Sequence, residues 1–297
     1  MRRGLLVYNP TAGQRDLRPE MSALIDRARE RGLELVNAPT SGPGDATGIV
    51  RAFLPRGIDL VAVCGGDGTI SEAAAGLAGS NVPLGLLPGG TSNVLAFELG
   101  VPLDLPGAEE LLLTGEPAAV RLDRVDGRPF LLWVGAGLDA RVMGRMNLAM
   151  KRRFGRWGIT PTAYSQFFQY EFPKMEVEVD GTRHPATYVV VARVPHYGGR
   201  WVIAPDARLD ADTFEVVVFA HRDHWRLFRL FRQMKIGRGG HLSNGLARVL
   251  RGRDVSIRSL GGPPVEIQVD GDCVLETPVR CGIGTEIVKV LVPRRRS

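Results

Sequence analysis

The sequence predicts an α/β domain with a parallel sheet followed by a β-rich, sandwich-like domain. Apolar runs of strand length alternate with amphipathic helical stretches from Gly4 to Leu99, and glycine-rich turns end two of those runs. From about Asp123 the pattern changes to short alternating segments separated by turns. We therefore place an α/β domain at residues 1–122, with residues 283–297 expected to return to it, and a β-rich domain at residues 123–282.

A chain of 297 residues can bury the cores of two ordinary domains. Hydrophobic content of 44% and charged content of 24% are those of a globular protein, and no apolar run approaches the ~20 residues of a transmembrane helix. The start, Met1-Arg2-Arg3-Gly4-Leu5-Leu6-Val7, breaks at Asn9-Pro10, too soon for a signal peptide. Cys64, Cys273 and Cys281 are scattered, with neither metal-ligand nor disulfide spacing, so a cytoplasmic location is expected. The net charge of +6 favours anionic partners without choosing among nucleotide, nucleic acid and acidic membrane. Lysines occur only at 151, 174, 235 and 289, none beside a glycine turn. Phosphate contacts must then come from backbone N–H groups, hydroxyls and arginines.

Gly4–Tyr8 reads as a strand, followed by the polar loop Asn9-Pro10-Thr11-Ala12-Gly13. Leu17, Met21, Leu24, Ile25 and Ala28 are at helical spacing, Gly32 stops that helix, and Leu33–Ala38 is the next strand. The turn from Thr40 to Asp45 can present Thr40 beside the first loop, and a helix to Leu54 leads to the strand Leu60–Val63. Cys64-Gly65-Gly66-Asp67-Gly68-Thr69 then opens a helix from Thr69 to Ala78. Leu84–Leu87 runs into Pro88-Gly89-Gly90-Thr91-Ser92-Asn93 and a helix through Leu99. Ligands of parallel sheets bind beyond the strands' carboxyl ends, where all three loops fall, so a nucleotide site is expected there.

The turn at Gly65 is the chemically informative one. A strand ending in glycines and leading into a helix lets backbone approach a phosphate and aims helix N–H groups at it. It matches neither the P-loop pattern nor the dinucleotide fingerprint. Asp67 would repel phosphate unless a cation or a proton-transfer role compensates. A capped helix behind a tight turn is the plain alternative, and spacing alone weighs the two evenly.

In the second half, strands are expected at Leu131–Val134, Met175–Val179, Tyr188–Val194, Phe214–Phe219, Asp254–Ile257 and Val265–Val269. Two elements interrupt them. One, about Arg141–Tyr170, holds Lys151-Arg152-Arg153 with Phe154, Trp157, Tyr164, Phe167 and Phe168. The other, His224–Lys235, puts Leu227, Leu230, Phe231 and Met234 on one helical face and Arg222, Arg226 and Arg229 elsewhere. Such a helix either packs on a sheet or lies on an anionic membrane, and the pattern favours packing. The tail Pro293–Ser297 reads as a solvated or phosphate-attracted end.

With Asn9-Pro10-Thr11-Ala12-Gly13, Gly65-Gly66-Asp67-Gly68-Thr69 and Pro88-Gly89-Gly90-Thr91-Ser92-Asn93 in this order, the sequence resembles the diacylglycerol kinase catalytic-domain family. That family includes bacterial lipid kinases and sphingosine and ceramide kinases, and is distantly similar to NAD kinases. The resemblance implies ATP between the domains. Asn9, Pro10, Thr11, Ala12, Gly13, Thr40, Gly65, Gly66, Asp67, Gly68, Thr69, Ile70, Ser71, Glu72, Gly90, Thr91 and Asn93 would line its site, with Asp67 orienting nucleotide-bound Mg²⁺. It also implies a proton acceptor just after an Asp-Gly of the second domain. Asp-Gly occurs at Asp126-Gly127, Asp180-Gly181 and Asp270-Gly271, each a good hairpin turn, and local sequence does not choose among them. The resemblance favours Asp270 and Asp272, with Asp272 taking the proton of a lipid hydroxyl, although the family usually has glutamate there.

A second departure lies in Leu209-Asp210-Ala211-Asp212-Thr213-Phe214. In the family this segment holds a structural Mg²⁺ through a carboxylate and neighbouring carbonyls. Ala211 falls on the usual carboxylate, so Asp210 or Asp212 must substitute or the metal is absent. The resemblance implies an ATP- and Mg²⁺-dependent kinase of diacylglycerol or a related lipid alcohol, forming a phospholipid such as phosphatidic acid. Its partners would be ATP, the lipid and, peripherally, an anionic membrane, with no nucleic acid; a homodimer is left open. The alternatives are a kinase of a soluble alcohol such as NAD and a non-catalytic nucleotide or lipid sensor.

Overall fold

The strands β1 (Arg2–Tyr8), β2 (Leu33–Pro39), β3 (Leu60–Gly65) and β4 (Leu84–Pro88) lie parallel in the order β2-β1-β3-β4. This is a computed structural model, and it describes residues 2–13, 16–146, 160–237 and 239–294. The chain forms two units. One holds the described residues up to Leu122 and from Thr285, the other those from Asp123 to Gly284.

In the first unit the strands are continuously apolar because both faces are covered: Leu5, Leu6, Val7 and all of Leu60–Val63 are fully buried. The covering helices are α1 (Arg18–Glu30), α2 (Asp45–Phe53), α3 (Asp67–Leu77), α4 (Val94–Glu98) and α5 (Leu105–Thr114). Met21, Leu24 and Ala28 form the buried stripe of α1, and Gly32, at φ 83°, turns the chain out of it. α5 is an addition to the expected elements. Asp104 caps it by accepting from Gly107 N at 2.8 Å, and ion pairs from Arg27 to Glu109 and Arg31 to Glu110, both 2.7 Å, tie it to α1.

Strand β5 (Glu116–Val125) leads into the second unit, where its end pairs with β6 (Arg128–Phe130). There follow β7 (Trp133–Ala136), α6 (Leu138–Gly144), α7 (Thr160–Phe168), β8 (Met175–Val179), β9 (Thr182–Ala186) and β10 (Tyr188–Ala192). A short β11 (His196–Tyr197) and β12 (Trp201–Val202) precede β13 (Phe214–Phe219), α8 (His224–Ile236) and α9 (Gly240–Ser243). The chain then runs through β14 (Arg248–Gly252), β15 (Asp254–Ser259), β16 (Glu266–Val269), β17 (Asp272–Glu276) and β18 (Val279–Val292). The end of β18 belongs to the first unit, where Val290 pairs in parallel with Leu84.

One layer of the second unit is antiparallel in the order β14-β13-β10-β7-β16-β17. Facing it are the start of β18, then β15, β8 and β9, also antiparallel. Alternate residues from both layers share one core, among them Val134, Val191, Phe214, Val216 and Ile267 against Val177, Val255, Ile257 and Val279. That alternation is the period-2 pattern of a β-sandwich. The three Asp-Gly pairs close hairpins as expected, with Asp126, Asp180 and Asp270 at φ 46°, 46° and 49°.

α8 buries Leu227, Leu230 and Met234 fully, so the packing expected of this helix holds. Its remaining surface is not simply charged, because Trp225 is 68% and Phe228 48% exposed. Lys151, Arg152, Arg153, Phe154, Trp157 and the last three tail residues lie outside the described residues. Among those that are described, no helix is long and apolar enough to cross a membrane.

Candidate active site

Register sets the loop rim of the first unit. Tyr8 pairs with Pro39 and Cys64, and Gly65 with Pro88, so β1 to β4 end level and their outgoing loops share one rim. Thr40 N donates to Tyr8 O at 2.8 Å and Asn9 N to Cys64 O at 3.1 Å, which fixes the first two loops to the strands. The Asn9 side chain folds its own loop, accepting from both N and Oγ1 of Thr11 at 3.0 Å, with Ala12 N on Asn9 O at 3.1 Å. Pro10 and Ala12 are buried, and Thr11 is exposed at the tip.

The two glycine loops lie against each other. A Cβ on Gly90 would stand 2.5 Å from Gly66 Cα, and one on Gly89 2.8 Å from Cys64 Sγ, so only glycine permits the approach. Gly66 sits at the N-cap of α3 in an extended conformation and brings no side chain over the helix end. That leaves a cradle of backbone at the positive end of a helix, suited to an anion. Asn93, at φ 47°, closes the second loop by accepting from Gly90 N at 3.0 Å and donating to Gly90 O at 3.1 Å. Thr91 stands exposed beside it, while Thr69 is half-buried.

Asp67 resolves the charge problem its position poses. Its two carboxylate oxygens accept from Val94 N and Leu95 N, each at 3.2 Å, so it caps α4 and joins the two glycine loops. Backbone N–H groups thus supply compensation that the sequence suggested must come from a cation or a proton. Glu72 is likewise engaged: it accepts from Gly44 N at 2.6 Å and Ala46 N at 3.3 Å, capping α2. Ile70 is fully buried with its N–H on Gly66 O, and Ser71 is 8% exposed, so both side chains sit within the unit rather than on the loop surface.

Within the second unit, the turn between β16 and β17 carries Asp270 and Asp272. Asp270, 4% exposed, accepts from Leu131 N, Leu132 N and Trp133 N at 2.8, 2.9 and 3.1 Å, which makes it a backbone clamp. The other Asp-Gly aspartates do similar work: Asp126 accepts from Arg280 N, and Asp180 from Arg253 N and Asp254 N. Asp272, by contrast, is exposed at the start of β17.

Beside this turn lies a polar cluster that sequence reasoning missed. Gln268 accepts from Gly271 N at 2.7 Å and donates to Asp139 Oδ2 at 3.2 Å, and the Tyr197 hydroxyl donates to the same oxygen. Burial pushes the Asp139 carboxyl above its ordinary range, against the lowering effect of those bonds. Tyr197 is pushed well up, by burial first and by Asp139 next. Gly135, four residues before Asp139, was the available signal, since it has no room for a side chain beside that carboxylate.

Asp210 and Asp212, one of which was expected to substitute for the carboxylate at Ala211 unless the metal is absent, lie in the loop before β13. Arg208 holds Asp210 through two bonds of 2.9 Å and keeps its carboxyl below the ordinary range, and Asp212 is exposed. Among the described residues there is no group of three or more His, Cys, Asp or Glu that could hold a metal ion.

Residues 3–125 match the family described as diacylglycerol kinase catalytic domain, and residues 133–292 match the YegS C-terminal NAD kinase beta sandwich-like domain. The chain is 27% identical over 295 residues to a diacylglycerol kinase of Mycobacterium tuberculosis (strain ATCC 25618 / H37Rv), covering 96% of this chain and 94% of that protein. It is 27% identical over 223 residues to a diacylglycerol kinase of Bacillus subtilis (strain 168), covering 73% and 74%. A crystal structure of a diacylglycerol kinase from Bacillus anthracis str. Sterne superposes with a TM-score of 0.73, at 22% identity over 98% of this chain and 97% of the other, a likeness of fold.

Proposed function

The chain belongs to the diacylglycerol kinase catalytic-domain family and is a lipid kinase, and from this we propose that it transfers the γ-phosphoryl group of ATP, with Mg²⁺, to the free hydroxyl of diacylglycerol or a related lipid alcohol. The product would be a phospholipid such as phosphatidic acid. The observation that supports the nucleotide most directly is the contact of the two glycine loops, where a Cβ on Gly90 would meet Gly66 at the uncovered end of α3. Thr11, Thr40, Thr69 and Thr91 bring hydroxyls to the same rim, and Asn9 and Asn93 shape the loops that carry them.

In this reading Asp67 holds the two loops at a fixed separation and, its carboxylate having more lone pairs than its two backbone bonds use, would orient the nucleotide-bound Mg²⁺. Mg²⁺, when bound with ATP, neutralises charge on the transferring group. Asp272 removes the proton of the attacking hydroxyl, and Asp270 fixes the turn that carries it. Tyr164, Phe168, Trp225 and Phe228 are 68%, 58%, 68% and 48% exposed. His224 joins α7 to α8 against Phe167 and Phe168, with Arg222 and Arg226 exposed nearby in sequence. Aromatics interleaved with arginines suit the interface of an anionic bilayer, and favour a membrane lipid over a soluble alcohol as acceptor.

The test is to incubate the protein with γ-labelled ATP, Mg²⁺ and mixed micelles containing diacylglycerol, ceramide, sphingosine or monoacylglycerol. Label is expected in one lipid class; label appearing with NAD and without any lipid would select the soluble acceptor.

A further inference from the structure

We propose that the loop from Leu209 to Thr213 is held by a guanidinium of the protein itself, that of Arg193, in place of a divalent metal ion. The loop's alternate carbonyls converge on one centre, as they would around a cation. Arg193 Nη2 donates to Leu209 O at 2.9 Å and Ala211 O at 3.0 Å, and Nη1 donates to Thr213 O at 2.9 Å. The third side of the guanidinium meets a carboxylate, with Nε 2.7 Å from Asp123 Oδ2. Both side chains are buried, at 1% and 0% exposure, and Asp123 Oδ1 also accepts from Gly284 N at 2.8 Å. The Phe214 ring closes the site, its centre 5.6 Å from the guanidinium carbon.

This donor set, three carbonyls and one carboxylate, is what a hard divalent cation takes, but such an ion would need oxygens at about 2.0–2.6 Å. The guanidinium already fills the point on which they converge, and its planar fork reaches all of them at ordinary hydrogen-bond lengths. Charge argues the same way. Arg193 and Asp123 form a neutral buried pair, and a second cation beside them would itself be a buried charge with no counter-charge. The methyl of Ala211 supplies no ligand, and Asp210 is turned to Arg208. The residues therefore do not fit the structural Mg²⁺ that the resemblance implied. Any Mg²⁺ requirement of the enzyme is assigned to the nucleotide.

The test uses neither nucleotide nor lipid, so it is decided independently of the phosphotransfer reading. The full chain is stripped with EDTA and dialysed, its metal content is measured, and its thermal unfolding is followed in EDTA and in millimolar Mg²⁺. The expected results are no stoichiometric metal and an unchanged unfolding midpoint. Stoichiometric retention of metal, or a midpoint several degrees higher in Mg²⁺, would overturn the proposal. Arg193→Met should lower the midpoint by many degrees in both media, and Arg193→Lys, which keeps the charge but loses the fork, should lower it by less. A midpoint for Arg193→Lys equal to that of the unsubstituted chain would also overturn it, and this comparison stands if Arg193→Met does not fold.

Discussion

Asp67 accepts the N–H of Leu95 at 3.2 Å, so the acid of the first glycine loop is the helix cap of the second. Asp67→Asn keeps one acceptor oxygen and turns an amide donor toward either Val94 N or Leu95 N. We expect turnover to fall by at least about 100-fold, as for loss of a group that orients the reacting phosphate. The cap should weaken by ~1 kcal/mol. Amide exchange at Val94 and Leu95 is the discriminating measurement. Faster exchange with near-normal turnover would leave Asp67 a structural cap with no part in the chemistry.

The parallel half of the fold was legible because its signals are local. Leu60–Val63 is apolar throughout, the glycines follow at once, and the register then places the loops on one rim. α5 escaped because Pro106 and Gly107 occupy its first turn, where they are tolerated but look like a loop. β18 escaped because Gly282 and Gly284 interrupt its alternation. What stayed hidden at the site is non-local. The partners of Asp67 lie 27 and 28 residues on, and Asp139 meets Tyr197 and Gln268 across 58 and 129 residues. Nothing in Val191-Ala192-Arg193-Val194 announces that its arginine points into the interior and meets Asp123 there.

Asp270 and Asp272 are separated by one residue and should respond oppositely. Asp270→Ala leaves three buried N–H groups without their acceptor and should destabilise the chain by ~3 kcal/mol or more, seen as a lower denaturant midpoint. Asp272→Asn alters an exposed side chain, so stability should stay within about 0.5 kcal/mol. Its turnover should fall by about 10²–10⁴-fold with ATP affinity nearly unchanged, the range for removal of a general base. An unchanged rate would move the proton acceptor elsewhere.

The exposed aromatics of α8 stack on each other, Trp225 on Phe228 at 5.8 Å between ring centres, and neither belongs to the buried stripe of Leu227, Leu230 and Met234. Replacing both by Ala should therefore leave the unfolding midpoint close to its original value. Co-sedimentation with anionic vesicles should drop by about tenfold or more, from the apolar surface no longer inserted. Equal binding by the double variant would remove this helix from the membrane-facing surface.

Asp139 makes a prediction about pH. Burial raises its folded-state pKa above the unfolded value of about 3.9, so between the two values the unfolded chain has lost the proton while the folded chain keeps it. The unfolded state then binds fewer protons, and stability falls as pH rises through that window. Above the folded pKa the whole penalty of the buried charge is present. Asp139→Asn retains an acceptor for the Tyr197 hydroxyl and cannot ionise, so its stability should lack this decline and exceed that of the unsubstituted chain at neutral pH. Denaturant unfolding of both proteins from pH 4 upward checks the sign. If the unsubstituted chain gains stability relative to Asp139→Asn as pH rises, then the bonds from Tyr197 and Gln268 outweigh desolvation, and Asp139 is a charged anchor for the β16–β17 turn.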